Sequence, residues 1–216
     1  MNKIFIIGYQ HSGTTLLSQI FQAHPQVSRL FNEANLAEFH KSMKEMEHIV
    51  SDEIYPDGNK DWAWGDKTPW LDGDGERIIK LSKRWLKYFK KQGRVIHILR
   101  HPLDVALSLN PSLEKQLDPI LSSLPIVINY INSENRATTI LYEDLVLFPR
   151  TTIFYIFEFC GLSTDQKTLN RVINTDYKFG KLGSIESSLR VFAYKKRNLS
   201  ISIDYERFIN MTKENP

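Results

Sequence analysis

The tightest constraint on the fold lies at the start of the chain. Lys3–Ile7 is a short apolar run of strand-forming residues that ends at Gly8, the signature of a strand buried on both faces of a parallel sheet. Residues 8–13 are turn-like. From Thr14 to Ala23 the apolar positions Leu16, Leu17, Ile20 and Phe21 fall at helical spacing, and His24-Pro25 stops that helix. The chain therefore begins strand, glycine-bounded loop, helix, which is the opening of an α/β domain.

The remainder keeps that rhythm. Glu33–Ser51 is an expected helix, followed by an irregular segment through Tyr55-Pro56-Asp57-Gly58 within an acidic, Trp-rich stretch. Glu76–Gln92 alternates apolar and basic residues with helical period. Arg94–Leu99 is a second buried strand, and Pro102 opens a helix after His101. Thr138–Tyr142 reads as a third strand, and Arg150–Cys160 as a helix ended by Gly161. Strands alternating with helices predict an α/β fold with a phosphate-binding loop and a mostly parallel central sheet flanked by helices. The 216 residues, 42% hydrophobic and 25% charged, suit one domain spanning 1–216.

Composition narrows the partners. A net charge of +3 favours an anionic ligand but is too small for a nucleic-acid-binding surface. The run Leu121–Ile131 is interrupted by Pro125 and Asn129 and reads as a core element, so no integral membrane segment is expected. Cys160, the single cysteine, lies in an apolar run and has no partner for an internal disulfide. The N-terminal apolar run is too short for a signal-peptide core. Together these favour a cytoplasmic setting.

Gly8-Tyr9-Gln10-His11-Ser12-Gly13-Thr14-Thr15 has the outline of a phosphate-binding loop, two glycines separated by four residues between strand and helix. Gly13 allows close backbone approach to an anion, and the first-turn amides and helix dipole point at it. The hydroxyls of Ser12, Thr14 and Thr15 add donors. A nucleoside-triphosphatase loop needs lysine after the second glycine, where this chain has Thr14. Without that lysine, and without a clear Mg²⁺-holding carboxylate after Arg94–Leu99, the loop suits a less charged group bound without metal.

These residues carry a family resemblance. Phe5-Ile6-Ile7-Gly8 followed by His11-Ser12-Gly13-Thr14-Thr15-Leu16-Leu17 resembles the 5′-phosphosulfate loop of the sulfotransferases that use 3′-phosphoadenosine 5′-phosphosulfate (PAPS), and Ala23-His24-Pro25 follows as in the bacterial and tyrosylprotein branches. His11 departs from the family's arginine or lysine beside the sulfuryl group. Histidine can still donate there, and can carry charge if its pKa rises near the sulfate. Val95–Pro102, with Asp104 and Ser108 on the next helix, resembles the family's 3′-phosphate site. A helix could bring the Ser108 hydroxyl back beside Arg100, and the resemblance implies that both hold the 3′-phosphate. His101, where aspartate is usual, is read as structural. Leu141-Tyr142-Glu143-Asp144-Leu145 is similar to a third block, with Tyr142 near the adenosine and the acidic pair bracing the following helix.

The resemblance implies in-line sulfuryl transfer from PAPS to an acceptor hydroxyl, with PAP as product and no metal. Such a step needs a base for the acceptor proton and positive donors for the bridging oxygen. Glu33 is the candidate base, with His40 in reserve. Lys67, in Gly65-Asp66-Lys67-Thr68-Pro69, is the candidate donor, with His11 sharing that work. The donor-binding set is Gln10, His11, Ser12, Gly13, Thr14, Thr15, Arg100, Ser108, Tyr142 and Lys195, the last in a basic stretch with Arg190, Lys196 and Arg197 that would close over the 3′-phosphate. Trp62, Trp64 and Trp70 are candidates to line an acceptor pocket. Two rivals remain at this point: a phosphate-loop kinase, and a nucleotide-binding protein of sulfotransferase descent that transfers nothing. Acceptor class and oligomeric state are not encoded in any of these motifs.

Overall fold

Apolar runs too short to be helices become the centre of a sheet buried on both faces. The computed structural model describes residues 2–39, 62–71, 73–109, 113–178 and 180–183, with Glu45 and Asn210. Its strands are β1 (Lys3–Tyr9), β2 (Val27–Asn32), β3 (Ala63–Trp70), β4 (Gly93–Leu99) and β5 (Ala137–Leu141). They run in the order β2-β3-β1-β4-β5, and every pairing is parallel. β1 is central and every residue in it is buried, which is why Ile4–Ile7 shows no polar alternation.

The helices are α1 (Thr14–Gln22), α2 (Leu36–Phe39), α3 (Gly75–Phe89, extended by a 3₁₀ turn at Lys90–Gln92), α4 (Pro102–Leu109), α5 (Leu113–Ser133), α6 (Tyr142–Leu147), α7 (Pro149–Phe159) and α8 (Gln166–Ile173). Side chains alternate across a strand, so the sheet feeds two cores. Phe5, Ile7, Val95 and Leu99 pack under α3, α4 and α5 on one face. Ile4, Ile6, Ile96 and Ile98 pack under α1, α6, α7 and α8 on the other. Cys160 is fully buried in this second core, and burial pushes its thiol pKa up. The run Leu121–Ile131 lies inside α5, which carries Pro119 and Pro125. Among the described residues, no helix is long and apolar enough to cross a membrane.

Two strands escape the sequence pattern. β2 falls just before the expected helix Glu33–Ser51, where no element was expected, and β3 falls in the acidic, Trp-rich stretch after it. Within the expected helix Glu33–Ser51, Glu33 is loop and α2 begins only at Leu36; residues 40–44 and 46–51, like the Tyr55–Gly58 segment, lie outside the described residues. β3 reads AWGDKTPW, and its glycine, aspartate, lysine and proline all argue against a strand on propensity. Its position between β1 and β2 overrides them.

This order positions the site. The chain leaves β1 toward β2 and leaves β4 toward β5, so the loops after these adjacent strands part in opposite directions. The carboxyl ends of β1 and β4 therefore frame the crevice where open α/β sheets bind ligands. Gly8–Gly13 forms one wall, and Arg100-His101 the other.

Candidate functional site

The phosphate loop is held by its backbone. Gln10 N donates to Trp70 O at 2.9 Å and Ser12 N to Tyr9 O at 3.0 Å. Gly13 is the N-cap of α1 with φ 105°, a left-handed value that L side chains rarely adopt. A Cβ there would come within 2.5 Å of the Tyr142 ring, and one at Gly8 within 2.5 Å of Ser12 Oγ. α1 carries no acidic residue in its first turn, so the positive end of its dipole is not neutralised locally. Ser12 is 2% exposed, and its hydroxyl has no hydrogen-bond partner among the described residues. A buried, unsatisfied hydroxyl inside a loop of helix-terminal amides is a donor that an anion would satisfy. Thr14 is buried beside it and Thr15 half-buried.

His11 ties the two loops together. Its Nδ1 lies 2.8 Å from Ser108 Oγ, and its carbonyl accepts a hydrogen bond from Arg100 Nη1 at 3.1 Å. Ser108 and Arg100 thus meet at His11, where the sequence pattern suggested only that the two would lie side by side. The Arg100 guanidinium sits over the Tyr142 ring at 4.6 Å, so the tyrosine is wedged between Gly13 and Arg100 and braces both loops. Burial, then the charge of Arg100, lower the His11 pKa. In the protein without ligand this runs opposite to the rise that would charge the ring near a sulfate, and leaves His11 a neutral donor or acceptor at pH 7.

The acidic pair after β5 has a structural part. Glu143, 4% exposed, accepts from His101 N at 2.9 Å, and His101 Nδ1 accepts from Leu103 N at 3.2 Å. Glu143 therefore fixes the entry to α4, the helix bearing Ser108, while burial raises its own pKa.

The other half of the site is at β3. Lys67 Nζ donates to Glu33 Oε1 at 2.7 Å; the lysine side chain is 4% exposed and that of the glutamate 55%. Glu33 N donates to Lys67 O at 2.8 Å, extending the β2–β3 ladder by one residue. Ser18 on α1 donates to Asn32 Oδ1 at 3.1 Å, which ties the residue before Glu33 to the helix that opens at the phosphate loop. The two candidates for chemistry, 34 residues apart, are brought into one ion pair.

Trp64 and Trp70 belong to the core. They alternate with Lys67 along β3 and face the opposite side of the sheet, 0% and 1% exposed. Trp64 packs edge-on against Trp85 and Phe89, and Trp70 against Tyr9. That corrects their assignment to an acceptor pocket; Trp62 is half-buried. His40, Arg190, Lys195, Lys196 and Arg197 lie outside the described residues.

Sequence reasoning passed over Asp66. It is fully buried and accepts from Leu36 N at 2.8 Å and Lys67 N at 2.9 Å. The available signal was a carboxylate set between two tryptophans on alternating positions, which fits buried strand better than loop.

A glycine-bounded loop at a parallel-sheet switch point is joined to an arginine loop through His11, and a lysine–glutamate pair stands on the neighbouring strand β3. The model of the sulfotransferase domain matches residues 1–110, about half of the chain, and the protein belongs to the sulfotransferase family and transfers sulfuryl groups. No curated protein matches the chain. Solved structures share the fold at low identity. The sulfotransferase domain from the curacin biosynthetic pathway is 15% identical with a TM-score of 0.64, covering 99% of this chain and 96% of its own. The sulfotransferase domain from the Synechococcus PCC 7002 olefin synthase is 17% identical with a TM-score of 0.58, covering 98% and 94%. The mouse sulfotransferase SULT7A1, solved in complex with PAP, is 12% identical with a TM-score of 0.58, covering 99% and 84%.

Proposed function

We propose that the sulfuryl donor is PAPS, that the acceptor is a hydroxyl, and that residues 1–216 act as one sulfotransferase domain. The observation that carries the donor assignment is the bridge at His11, where the phosphate loop, Arg100 and Ser108 converge within 3.1 Å. A donor bearing a 5′-phosphosulfate and a separate 3′-phosphate would span those two loops. The amides of Gly13, Thr14 and Thr15 and the orphaned Ser12 hydroxyl suit the 5′ end, with Gln10 at the loop's rim. Arg100 and Ser108 suit the 3′-phosphate, and Tyr142 supports Arg100 from below. Lys195 completes the proposed set from the basic C-terminal stretch. Complexes with PAP among proteins of this fold support the assignment.

Glu33 takes the acceptor's proton as the acceptor oxygen bonds to sulfur. Lys67 and His11 donate to the bridging oxygen as its bond to sulfur breaks and PAP departs with the electron pair. Charge on a single leaving phosphate is met by amides and cationic side chains, so no metal has an assigned place in the step. A lone cysteine agrees with a cytoplasmic setting. Incubation with ³⁵S-labelled PAPS and a panel of alcohols and phenols tests the step. Label in an acceptor, lost in Glu33→Gln, is expected; label that appears equally in wild type and Glu33→Gln removes Glu33 from the role of base.

A further inference from the structure

We infer that Asp66 is the positioning residue for Glu33: its buried carboxylate clamps the loop 33–36 onto β3, so that the glutamate is presented to Lys67. The inference rests on the sulfuryl-transfer reading of the Glu33–Lys67 pair and deepens it.

Neighbouring residues of a strand face opposite sides of the sheet. Asp66 pairs in register with Phe5, on the face of α3, whereas Lys67 pairs with Ile6, on the face of α1. The chain leaving β2 passes over this strand and is gripped from both sides. On one face Glu33 Oε1 meets Lys67 Nζ at 2.7 Å. On the other, Asp66 Oδ2 accepts from Leu36 N at 2.8 Å while Oδ1 accepts from Lys67 N at 2.9 Å.

The loop needs this anchor. Glu33 and Asn35 have φ values of 61° and 51°, left-handed conformations that cost a non-glycine residue on the order of 1 kcal/mol or more each. Two local bonds, Asn35 Nδ2 to Glu33 O at 3.1 Å and Glu38 N to Asn35 O at 2.8 Å, hold the turn together without tying it to the α3 face of β3. Beyond the anchor, Glu38 is fastened to α3 by Arg77, and Arg84 Nη1 donates to Glu38 O at 3.2 Å. α2 is therefore fixed at both ends, at Leu36 by Asp66 and at Glu38 by α3, with Glu33 three residues before the first anchored amide.

An anchor of this kind has a chemical signature. The ionised carboxylate accepts strongly at both oxygens; once protonated, its hydroxyl oxygen is a weaker acceptor and carries a proton that needs a partner of its own. Burial raises the Asp66 pKa to about 6, with the backbone donors and Lys67 pulling the other way. The charged groups around it among the described residues are Lys67 on its own strand, Glu33 and Glu38 flanking Leu36, and Arg77 and Arg84 on α3. The last three are bonded among themselves. The clamp should hold above pH 6 and loosen below it.

The test compares wild type and Asp66→Asn. Turnover of ³⁵S-PAPS is followed from pH 5 to 8, and PAP binding is followed by calorimetry. The expected result is a kcat at pH 7.5 lower by at least tenfold in Asp66→Asn, PAP affinity within threefold, and loss of the acid limb that the wild type shows near pH 6. A kcat within twofold and an unchanged acid limb would overturn the inference. Hydrogen exchange of the Leu36 amide in the wild type, corrected for intrinsic rate, needs neither the variant nor an acceptor. Protection at pH 7.5 that falls at least tenfold by pH 5 supports the clamp, and equal protection at both overturns it. A wild type that binds no PAP yet loses Leu36 protection on acidification would sink the donor assignment while leaving the clamp intact.

Discussion

The Lys67 ammonium is buried and the Glu33 carboxylate it meets at 2.7 Å is half exposed, so the pair presents its acidic end outward. A base must reach an incoming hydroxyl, while a cation gains most strength where water is excluded. The order of burial along this ion pair suits both demands.

Glu33→Gln keeps an oxygen that accepts from Lys67 but removes the proton acceptor. It should lower kcat by about 10²- to 10⁴-fold with PAP affinity within threefold. Its thermal stability should stay within about 1 kcal/mol, because a neutral acceptor still satisfies the lysine. Steady-state kinetics beside a thermal melt check both halves.

Lys67→Met preserves much of the side-chain volume and removes the charge. Loss of a donor to the departing oxygen should cost about 10²- to 10³-fold in kcat, with a smaller change in KM for PAPS. A fall in kcat/KM arising wholly from KM would instead make Lys67 a ground-state binding residue.

Gly13→Ala places a Cβ at φ 105°, within 2.5 Å of the Tyr142 ring. Backbone strain of about 1–3 kcal/mol is expected, together with at least a tenfold loss of PAP affinity as the loop shifts. Denaturant unfolding and calorimetry on one preparation measure the two effects.

His97 is fully buried on β4; Nδ1 is 3.1 Å from Thr139 Oγ1, and Nε2 has no hydrogen-bond partner among the described residues. Burial lowers its pKa to about 3 from an ordinary 6.5. Between those values the unfolded chain binds a proton that the folded one refuses, so this residue's contribution is present above pH 6.5 and is lost as pH falls toward 3. Asp66, with its raised pKa, acts in the opposite sense between 3.8 and about 6. The comparison must therefore be with His97→Asn. Its stability relative to wild type should improve by on the order of 1 kcal/mol per pH unit as pH falls from 6 to 4, measured by urea unfolding.

The β1–loop–α1 opening was legible because every local signal there agrees with the fold: an uninterrupted apolar strand, glycines at both ends of the turn, and helical spacing up to His24. His24 itself serves as a stop, with Nε2 donating to Ser163 O at 2.9 Å and Nδ1 accepting from Gln26 N at 3.1 Å. β4 and α4 were legible for the same reason. β3 was not, since its identity comes from pairing with β1 and β2 and not from its own Gly-Asp-Lys-Thr-Pro composition.

The site divides along the same line. Motif spacing indicated Arg100, Ser108 and the phosphate loop, yet their convergence on His11 depends on the strand order placing β4 beside β1. Glu33 and Lys67 could be named as separate candidates, but only the β2–β3 register makes them partners. The pattern around Asp66 marked it as buried, but not its contact with Leu36 N, because no pattern in the sequence encodes the conformation of that loop.

Calorimetry with PAP in the absence of Mg²⁺, on wild type and Arg100→Ala, tests the central claim most directly. Binding at micromolar strength or tighter, weakened at least tenfold in the variant, is the predicted result. A folded wild type that binds no PAP would contradict the assignment of the two loops to a 3′-phosphoadenosine donor.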